Sequence, residues 1–175
     1  MNIEYLAIDV ETAADGHICE IGMARIVDGR ITITCSQFVK PACYPDFDVK
    51  HQAVHGIQAH DLSGAPTFKE LWETDMHLLI KPNVLLIAHN AIFDVRQITT
   101  EMKRNGIKLF PIRYFCTMQQ SKKWLKGLDS YGLKNVCKFM RIGLQNHHRA
   151  EADATASARI FLKLPKNHKD AIKTI

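Results

Sequence analysis

The sequence has no pair of cysteines spaced C-x-x-C, and its five cysteines (Cys19, Cys35, Cys43, Cys116 and Cys137) are odd in number and scattered. This argues against a thiolate zinc site or a disulfide framework, so reduced thiols are expected. No apolar run approaches the roughly 20 residues needed to cross a bilayer. The first residues, MNIEYLAID, place no basic segment ahead of a signal-like apolar stretch. The expectation is a cytoplasmic protein with no membrane partner. No G-x-G-x-x-G follows the first apolar run, which sets a Rossmann dinucleotide site aside. Internal repeats, low-complexity tracts and long linkers are absent as well.

What remains is an ordinary globular composition. The chain has 175 residues, 46% hydrophobic and 23% charged, enough for one domain with a substantial core. Its formal charge of +5 is modest and suits a polyanionic partner without demonstrating one. Carboxylates clustered at one site would leave the remaining surface more basic than that total.

The N-terminal third reads as strands. Residues 3–9 form one apolar run, and CEIGMARIVDGRITITCSQFV gives two more on either side of Asp28-Gly29, a two-residue hairpin signal. Pro41, Pro45, Pro66 and the HGI and SGAP stretches mark residues 40–66 as loops around a short helix. Thr67 and Glu70 form a capping box ahead of FKELWETDMHLLI, where Phe68, Leu71, Trp72, Met76 and Leu79 share a face. VLLIAH is a wholly apolar strand, followed by a helix from about Ile92 to Arg104 that stops at Asn105-Gly106. IRYFCT reads as a strand, and YGLKNVCKFM and AEADATASARIFLKL as helices. A hairpin followed by alternating helices and strands predicts an α/β domain with a mixed sheet flanked by helices.

Within this plan three short segments carry acids at element ends. Asp9 and Glu11 are two apart on a strand, so they point to one face at its carboxyl end. Two carboxylates that close repel, and one stays protonated unless a cation intervenes. A hard divalent ion such as Mg²⁺ or Mn²⁺ resolves the conflict; an exposed strand end with two solvated acids resolves it equally well. In LLIAHNAIFDVRQI, His89-Asn90 form the turn and Phe93-Asp94 open a helix, where Asp94 gains from the helix dipole or faces a ligand crevice. In NHHRAEADATASA, His148 and Asp153 straddle a helix start; His148 suits proton transfer near neutral pH, and a capping region with surface histidines is the plainer reading.

Taken together, IDVET, HNAIFD and HHRAEADA resemble the three motifs of the DEDDh, or DnaQ-like, family of 3′→5′ exonucleases in order and spacing, over roughly residues 3–164. The resemblance implies a ribonuclease H-like fold with a mixed five-stranded sheet. It implies that Asp9, Glu11, Asp94 and Asp153 ligate two Mg²⁺ or Mn²⁺ ions and that His148 is the general base. His148, rather than His147, fits the family pattern His-x-Ala-x-x-Asp-Ala. Thr12 and Phe93 would hold the terminal nucleotide, with His89 and Asn90 beside them and the backbone of Val10 close to the 3′ end.

The implied reaction is two-ion hydrolysis that releases nucleoside 5′-monophosphates from single-stranded or frayed ends. Similarity to the proofreading branch, including HQAVHGI, favours DNA over RNA. An exonuclease domain is expected over residues 1–165 and a short, solvated basic tail over 166–175, a brevity that argues against a polymerase tether. Two other readings fit less well. IDVET superficially resembles the D-x-D-x-T start of haloacid-dehalogenase-like phosphatases, but its second acid is Glu11 and their later motifs are missing. A non-catalytic nucleic-acid-binding module would be expected to have lost one of the five site residues.

Overall fold

A computed structural model of the chain describes residues 4–165 and 171–175. The first strand, β1 (Glu4–Thr12), alternates its side chains between two helix-covered faces. Leu6, Ile8 and Val10 enter a core with Phe68, Trp72, Met76, Val95, Ile98 and Met102. Ala7 enters the opposite core with Ala156, Ile160 and Phe161. Asp9 and Glu11 share the Ala7 side by the period of the strand.

β2 (Ile18–Val27) and β3 (Arg30–Phe38) follow as the expected hairpin, with Asp28 at φ 49° and Gly29 at φ 73° in the left-handed turn. The loop region contains α1 (Val49–His55), closed by left-handed Gly56. A helical run starts at the Thr67–Glu70 capping box, with both reciprocal bonds formed. It passes from α2 (Phe68–Leu71) through a π turn at Trp72–Met76 into α3 (His77–Leu79). β4 (Val84–Ala88) is buried at every residue because it lies between parallel β1 and β5 (Arg113–Cys116). α4 (Ile92–Arg104) connects β4 to β5. α5 (Thr117–Trp124), α6 (Leu133–Phe139) and α7 (Ala150–Lys163) complete the helices. The sheet order is β3-β2-β1-β4-β5-β6; β4 pairs parallel with β1 and β5, and the remaining neighbours pair antiparallel.

Two elements depart from the expected plan. The sheet has six strands rather than five, because Ile172–Thr174 form β6, antiparallel to β5. Ile112 and Ile175 exchange backbone bonds of 3.0 and 3.1 Å at its end. These residues fall in the stretch expected to be a solvated tail; they satisfy the backbone of β5, which would otherwise be a sheet edge. The other five residues of that stretch before Ala171, 166–170, lie outside the described residues. Helix α5 was not expected because it buries Thr117 and Ser121 rather than large apolar residues, so no apolar period marks it. Among the described residues, no helix is long and apolar enough to cross a membrane.

α7 lies closely against β1 and β2, and its contacting residues are small: Ala150, Ala154 and Ala158 are fully buried. Gly22, directly across from Asp9 in the β1–β2 register, sets that distance. A Cβ there would lie 1.9 Å from the carbonyl carbon of Ala150. Gly22→Ala is therefore expected to push α7 away and destabilise the fold by about 3 kcal/mol, the upper range for overpacking. Urea unfolding measures this, and an unchanged midpoint would contradict the packing account.

Candidate active site

The carboxyl end of β1, the amino end of α4 and the amino end of α7 converge on a pocket of about 180 Å³. Its lining includes Asp9, Val10, Glu11, His89, Asn90, Phe93, Asp94, His148 and Asp153, nine of the ten residues singled out from sequence. Thr12 is the exception. It is buried beside the pocket, with its hydroxyl 3.5 Å from His51 Nδ1 and its carbonyl accepting from His55 Nε2 at 3.2 Å.

Carboxylate oxygens of Asp9, Glu11 and Asp153 lie within 4.8 Å of one another. Asp94 is buried at the first turn of α4, and its Oδ1 accepts the Val10 N–H at 3.2 Å. Burial is the main cause that raises all four carboxyl pKa values. For Asp9 the next causes are the charges of Asp94, Asp153, Glu11 and Glu20, and its shift is large. Glu11 is pushed up to about 8 by burial and then by Asp153, Glu20 and Asp94. Asp94 is raised by burial and by Asp153, against two backbone hydrogen bonds. Asp153 is raised by burial, against nearby His147. Oxygen donors at such spacing could hold a divalent cation, whose charge would reverse these shifts.

The turn into α4 is built for its place. Asn90 takes φ 74°, a conformation asparagine tolerates better than most residues. Phe93 is 41% exposed and lines the pocket. His89 is held inside the protein: Nε2–H donates to the Tyr131 carbonyl at 2.8 Å, and Nδ1 accepts from the Thr117 hydroxyl at 2.9 Å. Burial pulls its pKa down to about 4, so the ring is neutral and braces the turn.

Both histidines ahead of α7 reach the site. His147 Nδ1 lies 2.9 Å from Asp153 Oδ2, and the two imidazoles stack with centroids 3.8 Å apart. His148 donates its backbone N–H to Asp153 Oδ2 at 3.2 Å and takes φ 69°, a strained conformation for a histidine. Burial and then His147 lower its pKa, against the pull of Asp153, so the ring favours the neutral form.

Sequence reasoning missed Glu20, the cross-strand partner of Glu11. Glu20 is 1% exposed and accepts from Arg149 Nε at 3.2 Å, Arg149 Nη2 at 3.0 Å and the Ala150 N–H at 3.2 Å. It therefore caps α7 and fastens it to β2, fixing where His148 and Asp153 stand. The signal was available: Glu20 is an acid within an otherwise apolar run, ICEIGMA. The HQAVHGI segment also finds its place, since His55 bridges the Thr12 carbonyl and the Ile57 N–H and so braces the strand just beyond Glu11.

The raised carboxyls set a pH dependence. Glu11 in the folded protein holds a proton up to about 8, whereas its ordinary value is 4.5. The ion-free fold therefore binds more protons than the unfolded chain between those limits, and this contribution to stability is lost as pH climbs through them. A bound cation favours the ionised form and opposes that loss. With Mn²⁺ at about 100 times its Kd, binding adds about 2.7 kcal/mol, or about 5–10 °C in Tm. The Mn²⁺-induced rise is expected to be much larger at pH 8 than at pH 5; equal rises at both would contradict the site electrostatics.

Residues 6–161 match the family model described as Exonuclease. DNA polymerase III PolC-type of Caldanaerobacter subterraneus is 31% identical over 98% of this chain, which spans 12% of that relative's length. Exonuclease X in complex with 5′ overhanging duplex DNA superposes with a TM-score of 0.67, at 23% identity over 90% of both chains. E. coli Exonuclease I in complex with a dT13 oligonucleotide gives 0.79 at 15% identity, over 97% of this chain and 42% of that one. The sheet and helices thus have the ribonuclease H-like layout of these nucleases, and with the three acidic motifs gathered at one pocket the chain belongs to the DEDDh-type 3′→5′ exonuclease family.

Proposed function

We propose that this chain hydrolyses DNA from its 3′ end, acting on single-stranded or frayed termini and releasing nucleoside 5′-monophosphates. The observation that carries this reading is the convergence of Asp9, Glu11, Asp94 and Asp153 on one small pocket that His148 also lines. Those four carboxylates would hold two divalent ions, Mg²⁺ or Mn²⁺ by their all-oxygen donors. Bound there, such ions would supply Lewis acidity toward the phosphodiester and make a neighbouring water more acidic.

The chain's own residues account for the rest. His148 takes the proton from the attacking water. Its ring accepts no protein hydrogen bond among the described residues, whereas His147 is engaged with Asp153. Phe93 offers a face for the terminal base, Asn90 lies at the rim, and the Val10 backbone lies at the pocket floor beside Asp9. A single strand reaches such a small pocket more readily than a paired end, so frayed termini are the expected substrates. The DNA preference is supported by relatives named as DNA polymerases and by neighbours holding DNA. The PolC-type likeness also suggests proofreading beside a polymerase as a setting.

Matched 5′-labelled single strands of DNA and RNA, with Mg²⁺ or Mn²⁺, test this reading directly. A ladder that shortens from the 3′ end, runs faster on DNA and disappears in EDTA is expected. His148→Ala should lower kcat by about 10²–10⁴-fold, the range for general-base loss, and His147→Ala by far less. The reverse ranking of the two histidines would overturn the assignment of the base, and faster cleavage of RNA would overturn the choice of sugar.

A further inference from the structure

The net positive charge of this chain falls within one stretch of its sequence. Residues 117–141 carry six cations, Lys122, Lys123, Lys126, Lys134, Lys138 and Arg141, against a single acid, Asp129. This net +5 equals the formal charge of the entire chain, so the other 150 residues balance to zero. All six cations are exposed, and they lie on α5, α6 and the segments that follow them.

The same region exposes a large aromatic ring. Trp124 ends α5 and is 43% exposed, whereas the other tryptophan, Trp72, is buried. Lys123 Nζ lies 5.2 Å from the Trp124 ring centroid, so charge and stacking face occur together. A surface tryptophan beside lysines is the pairing that sequence-tolerant single-strand binders use: phosphates meet the ammonium groups and a base meets the ring.

This surface connects to the catalytic pocket. α5 begins at Thr117, which holds His89, a pocket residue. Lys122 is close enough to lower the His89 pKa. At the far end of α5, the Leu125 carbonyl accepts from the Tyr131 hydroxyl at 2.8 Å, and the Tyr131 carbonyl accepts from His89. Leu133 lines the pocket and opens α6, with Lys134 as its neighbour.

We propose that α5, the 125–132 segment and α6 form a tract that binds the single strand upstream of its 3′ end. Trp124 stacks on a base, and Lys122, Lys123, Lys126 and Lys134 neutralise phosphates. This rests on the exonuclease reading for its direction, since the pocket takes the terminal nucleotide and the tract takes the chain leading into it. The acidic pocket alone repels a polyanion, and the adjoining cations supply the attraction that brings the strand to it.

The test is a titration of the purified protein in EDTA with dT12 and dT3, following tryptophan fluorescence and, independently, the anisotropy of labelled oligonucleotides. Binding without turnover keeps it separate from the cleavage assay: an inactive protein that still binds dT12 through the tract would sink the exonuclease reading alone. Wild-type protein is expected to bind dT12 at least tenfold more tightly than dT3. Trp124→Ala should weaken dT12 about fivefold or more, as the loss of one stacked base would, and Trp124→Phe should restore part of it. The double variant K122A/K123A should lower the salt slope of log K by about 1.4, two phosphates on a single strand. Because these side chains are exposed, circular dichroism should match the wild type. Equal dT12 affinity for wild type, Trp124→Ala and the double variant would overturn the proposal, as would binding to anionic vesicles with none to dT12.

Discussion

Carboxylate oxygens from Asp9, Glu11 and Asp153 lie within 4.8 Å of one another at the end of a buried strand, and Asp94 lies beside them. Like charges at that distance repel strongly once water is excluded. The site therefore exists only because the rest of the fold holds it together, and its raised pKa values record that cost in the ion-free protein. The repulsion is relieved either by protons, which these acids hold more tightly than free carboxyls do, or by a hard divalent cation, for which their oxygens are suited donors.

Three devices hold the acids in place. Gly22 and the alanines of α7 let a helix approach the sheet closely enough to bring Asp153 over Asp9 and Glu11. Glu20 fastens the start of that helix through Arg149 and the Ala150 N–H. His89 and His55 brace the turn after β4 and the strand end after Glu11 from behind. Each of these two histidines matters structurally, since it fixes a backbone segment that carries residues lining the acidic pocket.

Much of this could be read from the chain itself. The hairpin at Asp28-Gly29, the Thr67–Glu70 capping box and the helix from Ile92 to Arg104 are written in turn chemistry, reciprocal caps and apolar period, and each stands where those signals put it. The acids were legible because charges rarely end apolar runs without a reason. Helix α5 was not, since it packs Thr117 and Ser121 inward. Strand β6 was hidden for a different reason: Ile172–Thr174 is only three residues long with Lys173 at its centre, too short for an alternating pattern, and the open edge of β5 makes it a strand. The separate placements of His147 and His148 could not follow from a motif, because which ring meets Asp153 depends on the left-handed backbone at His148. Thr12 falls on the side of β1 opposite Asp9 and Glu11 by the period of the strand, and its hydroxyl lies 3.5 Å from His51 Nδ1.

Charge is thus sorted into an acidic pocket and a basic tract that adjoin through His89 and Leu133, a division suited to drawing in a polyanion and then acting on its end. The claim on which this account stands is that the acids share protons until cations replace them. Calorimetric titration with Mn²⁺ at pH 7, repeated in buffers of different ionisation enthalpy, counts the protons released on binding. The account predicts saturable binding with net proton release, lost in Asp153→Asn. Binding with no proton release, or no binding by the intact protein, would contradict it.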